Sequence, residues 1–418
     1  MLRLPFSSPS PSPTPGLTRL FLYAEAGILL LLGISLLSSY IERYPPLSQA
    51  GGGPYQVSIA RQDNGQEEKP SDPDKTFIKW VDFTVTCEAM TKALDLDMAT
   101  CQSDPHLDWI QLLAYLGARY GGDFSRYRAS DLDKLAQALK EGSTMAELTK
   151  EMKYYDYYLE AYTAVLGGMV GTFLEEVPAE QAPAQTDGTA GQATPQAGTG
   201  AGQVPPQADG TADPPQATPS QASDGDDDAG TAWATRYGLK AFSPIAKGFP
   251  YTEFDDFGTA RSYGFKRQHL GHDMMGQVGT PIIAVESGTI EAIGWNQYGG
   301  WRIGIRSFDK KRYYYYAHLR KNYPYQSGLE EGSIVQAGDV IGYMGRTGYS
   351  RTENTNNIDE PHLHFGLQLI FDESQKDGNN EIWISCYELV RFLHQHQSQT
   401  EKVPDTKEWH RVYRTKDR

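Results

Sequence analysis

The sequence predicts a multi-domain chain: an N-terminal transmembrane helix, a small all-α domain, a disordered linker and a C-terminal domain of mainly antiparallel β-strands. Three observations carry this. An apolar run from Leu20 to Ile41 has the length a membrane-spanning helix requires, roughly 20 residues. Between Asp74 and Phe173 apolar residues recur at three- and four-residue spacings, the pattern of amphipathic helices. Beyond Trp233 the pattern shortens to brief β-branched and aromatic runs punctuated by glycine. With 418 residues the chain also exceeds what one core usually holds, roughly 250–300 residues.

Residues 1–45 read as a short cytoplasmic tail and a membrane anchor. Arg3 and Arg19 precede the apolar run, so the positive-inside bias keeps the N-terminus in the cytoplasm. Everything after residue 45 is then extracellular, on a single-pass protein of the cell membrane. The alternative is a signal peptide and secretion after its cleavage, although Leu36-Leu37-Ser38-Ser39-Tyr40 is a poor cleavage site. Residues 46–75 are polar and rich in Gly and Pro, a juxtamembrane linker.

Residues 76–174 form the helical domain. Trp109, Leu112, Leu113 and Leu116 make one apolar stripe, and Leu132, Leu135 and Leu139 another. Ser130 with Asp133, and Ser143 with Glu147, have the form of capped helix starts. Tyr154, Tyr155, Tyr157, Tyr158 and Tyr162 are read as core aromatics rather than a sugar-stacking surface. Glu88, Asp95 and Glu147 are read as carboxylates on solvated helix faces rather than a glycosidase pair.

Residues 175–231 are almost all Ala, Gln, Pro, Thr, Gly and Asp, including Asp224-Gly225-Asp226-Asp227-Asp228. Such a composition does not bury enough apolar surface to offset its ordering entropy, so disorder is expected. As a tether it would span on the order of 40 Å and let its two flanks move independently.

The β domain is expected over residues 232–398. Its strands are read at Pro281–Val285, Thr289–Ile293, Arg302–Ile305, Arg312–His318, Ser333–Val335, Val340–Met344 and His362–Ile370, with a closing helix near Ile384–His394. Residues 399–418 are a charged tail, expected to fray.

Charge and cysteine content exclude some functions. A formal net charge of −15 argues against duplex-DNA binding and leaves no nucleic-acid partner in this reading. Cys87, Cys101 and Cys386 are too few and scattered for a disulfide scaffold or a paired-cysteine zinc site. A Cys87–Cys101 bridge is left open.

The chemistry concentrates in the histidines. His269-Leu270-Gly271-His272-Asp273 sets an imidazole and a carboxylate four residues apart, just before Gly279-Thr280-Pro281. His362-Leu363-His364 lies in a strand-like run, where residues two apart face one way and both imidazoles can converge on one centre. His318 ends the strand that carries Tyr313 to Tyr316. Two imidazole nitrogens and one carboxylate oxygen are a set suited to catalytic zinc, which takes three protein ligands and leaves a fourth position open. Further histidines nearby could move the protons of amide hydrolysis.

The segment from about Phe265 to Gln368 resembles the catalytic domain of the lysostaphin-type zinc metallopeptidases, cell-wall endopeptidases with a small antiparallel β fold. The matching elements are His269 and Asp273, Gly279-Thr280-Pro281, Tyr316-Ala317-His318-Leu319, Gly342 to Gly348, and Pro361-His362-Leu363-His364-Phe365. The resemblance implies that His269, Asp273 and His364 bind Zn2+ while His318 and His362 act in catalysis. It further suggests Tyr263 as an oxyanion helper, with a packing aromatic as the alternative. The substrate implied is a peptide bond in the stem peptide or cross-bridge of peptidoglycan, outside the membrane. A second reading is a membrane-anchored interaction module, as in sporulation engulfment proteins that use this fold to grip an envelope protein.

Two departures stand out. Residues 351–360 form a polar loop where the family has a short connection, and they are expected to line the substrate groove and set specificity. Gly366 stands where many relatives carry Glu, which bears on the surroundings of His364. His272 is expected to turn away from the metal, because neighbouring side chains on a strand point to opposite faces.

Overall fold

A computed structural model describes residues 77–178, 231–262, 266–378 and 380–417. The expected transmembrane run, the juxtamembrane linker, Tyr263 and residues 179–230 of the expected linker lie outside the described residues. Among the described residues no helix is long and apolar enough to cross a membrane.

The helical region contains α1 (Cys87–Thr100), α2 (Trp109–Tyr120), α3 (Ala129–Lys140), α4 (Met145–Thr149) and α5 (Tyr155–Leu166). Thr86 caps α1 by accepting from the Ala89 amide, and Gly121 ends α2 in the left-handed region at φ 65°. The capping box of α4 is Thr144 with Glu147, not Ser143, because the box needs its two members three residues apart. At α3 the cap position is Arg128, without a side-chain bond, so Ser130 lies inside the helix. Of the tyrosines, Tyr155 and Tyr162 are buried and Tyr154 is exposed. Cys87 opens α1 and Cys101 caps its far end, about 21 Å apart at the helical rise, too far for a bridge. All three cysteines are free.

The strands are β1 (Val170–Pro178), β2 (Thr231–Leu239), β3 (Thr252–Glu253), β4 (Ala260–Ser262), β5 (Lys266–Gln268), β6 (His272–Met275), β7 (Pro281–Ile283), β8 (Gly288–Asn296) and β9 (Gly300–Ser307). They continue with β10 (Arg312–Ala317), β11 (Ile334–Val335), β12 (Val340–Tyr343), β13 (His362–Leu369), β14 (Ile382–Ile384), β15 (Thr400–Lys402), β16 (Trp409–Arg411) and β17 (Thr415–Asp417). The main sheet runs β11-β8-β9-β10-β13-β6-β3, with β14 also on β13, and every pair is antiparallel. Alternation sorts β10 into two faces: Tyr314 and Tyr316 pack with Phe365 in the core, while Tyr315 faces His364. The helix α6 (Tyr387–Leu393) follows β14.

Three expectations are corrected here. Residues 175–178 and 231, assigned to the linker, are paired strand: β1 and β2 match from Val170 opposite Leu239 to Pro178 opposite Thr231. Phe173 and Val177 bury one face of β1, which fixes that register. Nor do the two halves stand apart as tethered bodies, since one hydrophobic core includes α1, α2, α5 and the main sheet. The Trp109 ring stacks on Phe392 at 5.8 Å, and the Cys87 amide donates to Glu388 at 2.7 Å. Apolar periodicity marks a face for burial without naming what buries it, and here α6 (Tyr387–Leu393) supplies part of the cover. Finally, the C-terminal tail is anchored rather than frayed: β17 pairs with β1, and the Trp409 amide donates to the Tyr343 hydroxyl at 3.0 Å.

Candidate metal centre

Register builds the site. In the β6–β13 pair, His364 is directly opposite Asp273, and antiparallel neighbours on one face hold their side chains within contact. His269 enters from the segment before β6. The result is a triangle: His269 Nε2 to Asp273 Oδ1 is 3.1 Å, His364 Nδ1 to Asp273 Oδ1 is 2.8 Å, and His269 Nε2 to His364 Nδ1 is 3.1 Å. These edges are close to those of a tetrahedron drawn around a centre at ~2.0–2.1 Å, about 3.3 Å, the dimension of a zinc site with N and O ligands. The donor set therefore fits a small divalent metal, and it is the one group of three or more His, Cys, Asp or Glu among the described residues placed to hold one.

Outer contacts orient these ligands. His269 Nδ1 lies 3.0 Å from Asp256 Oδ1, so that ring nitrogen donates and Nε2 is left with its lone pair toward the triangle. The Arg261 guanidinium donates through Nη1 to Asp273 Oδ2 at 2.8 Å and through Nη2 to Asp256 Oδ2. Burial pushes the Asp273 carboxyl up, but its bonds to His269 and His364 and the neighbouring imidazoles outweigh that and hold it far below the usual carboxylate range. Burial lowers His364, against the opposing pull of Asp273.

His318 and His362 complete the cluster, their rings 4.8 Å apart, with His318 5.7 Å from His364. Each Nδ1 meets a carbonyl that can only accept: Thr347 at 2.9 Å for His318, Glu360 at 2.8 Å for His362. The proton of the neutral ring therefore sits on Nδ1, and Nε2 is the basic atom in both. Burial holds His318 well below an ordinary histidine, and the nearby His362 and His364 push the same way. His318 also adopts φ 64°, a conformation costing about 1–2 kcal/mol for a residue with a Cβ.

The structure thus gathers His269, Asp273, His318, His362 and His364 in one place. His272 faces elsewhere, its Nε2 2.8 Å from Glu253 Oε2. His394 and His396 lie outside the cluster, against the Tyr251 hydroxyl and the Ala241 carbonyl. Sequence reasoning missed Asp256, Arg261 and Thr347, whose contacts are tertiary and leave no local spacing to read. It also missed why glycine stands at 271: a Cβ there would sit 2.4 Å from the His364 ring. At Gly366 a Cβ would sit 2.7 Å from the Trp383 ring, so the indole takes the space that a longer side chain would need.

The polar loop is tied to this rim. Asn354 Oδ1 accepts from Trp301 Nε1 at 2.9 Å and from the Asn322 amide at 2.8 Å. Asn357 donates to the Tyr349 carbonyl at 2.8 Å, and the Tyr349 ring lies 5.7 Å from that of His318.

Residues 267–377 match peptidase family M23. These residues are a lysostaphin-type M23 peptidase domain. Over 159 residues the chain is 33% identical to an L-Ala–D-Glu endopeptidase of Bacillus subtilis, a match covering 38% of this chain and 45% of that protein. It is 39% identical over 98 residues to lysostaphin of Staphylococcus staphylolyticus, covering 23% of this chain and 18% of that one. The chain thus spans less than half the length of these relatives. The solved catalytic domain of lysostaphin from Staphylococcus simulans is 29% identical, covers 34% of this chain and 92% of that domain, and has a TM-score of 0.26. The M23 match begins at residue 267, so Asp256 and Arg261 precede it, whereas the five clustered residues and the polar loop lie within it.

Proposed function

We propose that the protein is a zinc-dependent endopeptidase that hydrolyses peptide bonds in bacterial peptidoglycan. The observation that carries this is the convergence of His269 Nε2, Asp273 Oδ1 and His364 Nδ1, beside two imidazoles whose Nδ1 atoms are held by carbonyls. The M23 domain and its likeness to an L-Ala–D-Glu endopeptidase and to lysostaphin support a peptide of the cell wall as substrate.

In this mechanism His269, Asp273 and His364 hold the metal. Zinc, when bound, supplies Lewis acidity that polarises the scissile carbonyl and acidifies a water. His318 and His362 manage protons. With Nδ1 fixed to a carbonyl, each can take the proton of the attacking water at Nε2 and return it to the leaving nitrogen. Close spacing makes it costly for both rings to be charged together, so one accepts while the other stays neutral. The protonated ring can also donate to the developing oxyanion.

This substrate lies outside the cytoplasmic membrane, which agrees with reading Leu20–Ile41 as an anchor; alkaline extraction of membranes would release the protein if that reading is wrong. The function itself is tested by incubating the zinc-loaded full chain with purified peptidoglycan and weighing the soluble products. Fragments carrying new peptide termini are expected. Intact stem peptides and cross-bridges, with metal bound at full occupancy, would overturn the assignment.

A further inference from the structure

Arg261 closes a circuit around the metal ligands. Its Nη1 donates to Asp273 Oδ2 at 2.8 Å, and its Nη2 bonds Asp256 Oδ2. Asp256 Oδ1 lies 3.0 Å from His269 Nδ1, and His269 Nε2 returns to Asp273 Oδ1 at 3.1 Å. A forked, planar cation bonds two separate carboxylates through two nitrogens held in a fixed geometry. Asp273 and His269 are almost fully buried, so little water competes at the inner side of the circuit.

We propose that Arg261 is a positioning residue that dictates how Asp273 is presented to a metal, one oxygen inward and the other held out. The inference rests on the zinc reading above. An unrestrained carboxylate can offer both oxygens, which raises the coordination number and suits large cations that bind oxygen at roughly 2.3–2.6 Å. With Oδ2 bonded to the guanidinium, only Oδ1 faces His269 and His364, and the donor set stays at two nitrogens and one oxygen. Arg261 therefore selects a four-coordinate ion such as Zn2+ or Co2+ over Mn2+ or Ca2+. Asp256 belongs to the same circuit, aligning His269 while anchoring the other arm of the fork.

The test uses full-length Arg261→Met, Arg261→Lys and Asp256→Asn proteins, with folding followed by circular dichroism. Two readouts are needed: Zn2+ affinity by competition with a chromophoric chelator, and the visible absorption of the Co2+-loaded protein, which weakens as coordination rises above four. Arg261→Met is expected to lose about 10–100-fold in zinc affinity together with most of the four-coordinate cobalt absorption. Arg261→Lys should recover only part of each, since a single ammonium nitrogen lacks the rigid fork that fixes both carboxylates. Asp256→Asn should weaken zinc while keeping the cobalt spectrum. Unchanged affinity and spectrum in Arg261→Met overturns the role, as does weakened affinity with an unchanged spectrum, which would make Arg261 merely a nearby charge. If Arg261→Met does not fold, wild-type behaviour of Arg261→Lys overturns it equally. Failure of the unaltered protein to bind either metal would instead bring down the zinc reading and this inference with it.

Discussion

His364 stands directly across the β6–β13 pair from Asp273, and its Nδ1 lies 2.8 Å from the carboxylate Oδ1. The two donors meet because of strand register, so a slip of one residue would turn them to opposite faces. Asp273→Ala should empty the site while leaving the sheet intact. Elemental analysis is expected to fall from about one zinc per chain to a trace; full occupancy in the variant would remove Asp273 from the ligand set.

A different outcome is expected at His318, whose Nδ1 is engaged by the Thr347 carbonyl and which is not part of the ligand triangle. His318→Ala should keep its zinc and lose hydrolysis by on the order of a hundredfold or more, the usual scale for a lost acid–base or oxyanion group. Loss of metal together with activity would make it a ligand instead.

Residues 351–360 should govern which bonds are reached. Shortening the loop to two or three residues removes the Asn354 bonds to Trp301 and Asn322 and the Asn357 bond that steadies Tyr349 beside His318. The released wall fragments should change in identity, with zinc content unaltered. Identical products and rates from the same wall preparation would reduce the loop to a surface insertion.

Arg312 is the buried link between the helical region and the sheet, donating to Glu286 from β10 and to the Ala164 carbonyl near the end of α5. Arg312→Met leaves the Glu286 carboxylate buried beside Tyr314 without its cation, a loss of about 3–5 kcal/mol. Denaturant unfolding should show the deficit. The double variant with Glu286→Gln should recover part of it, and full additivity of the two changes would contradict the coupling.

His396 supplies a pH dependence remote from the metal. Its ring stacks on Phe242 at 4.0 Å, and burial holds it below its ordinary 6.5, opposed by the bond to the Ala241 carbonyl and aided by Arg411. In the unfolded chain this histidine takes a proton as pH falls through about 6.5, while the folded ring resists, so its contribution to stability is complete above that value and declines below it. Between pH 7.5 and 5.5 the unaltered protein should therefore lose more stability than His396→Phe. Equal losses by chemical denaturation would refute this sign.

Much of the site was legible because its donors sit in short motifs: His-x-His on a strand shares a face, and His269 precedes Asp273 by four residues. The antiparallel β fold was legible from short runs between glycines. What escaped was tertiary. Arg261 reaches the ligands from β4 and Asp256 from the segment before it, and Cys87 and Trp109 at the starts of α1 and α2 meet Glu388 and Phe392 of α6, nearly at the far end of the chain. A composition rich in Pro and Gln, most of it outside the described residues, carries no sign that its two flanks are strand partners.

That pairing of Pro178 with Thr231 has a practical meaning for anyone handling the protein. The chain leaves β1 at Pro178 and returns on β2 at Thr231, directly opposite, so residues 179–230 begin and end at one place. A cut within them would leave two polypeptides still zipped along β1 and β2 and sharing one interior. Such a nicked product should elute as a single species under native conditions and separate only in denaturant.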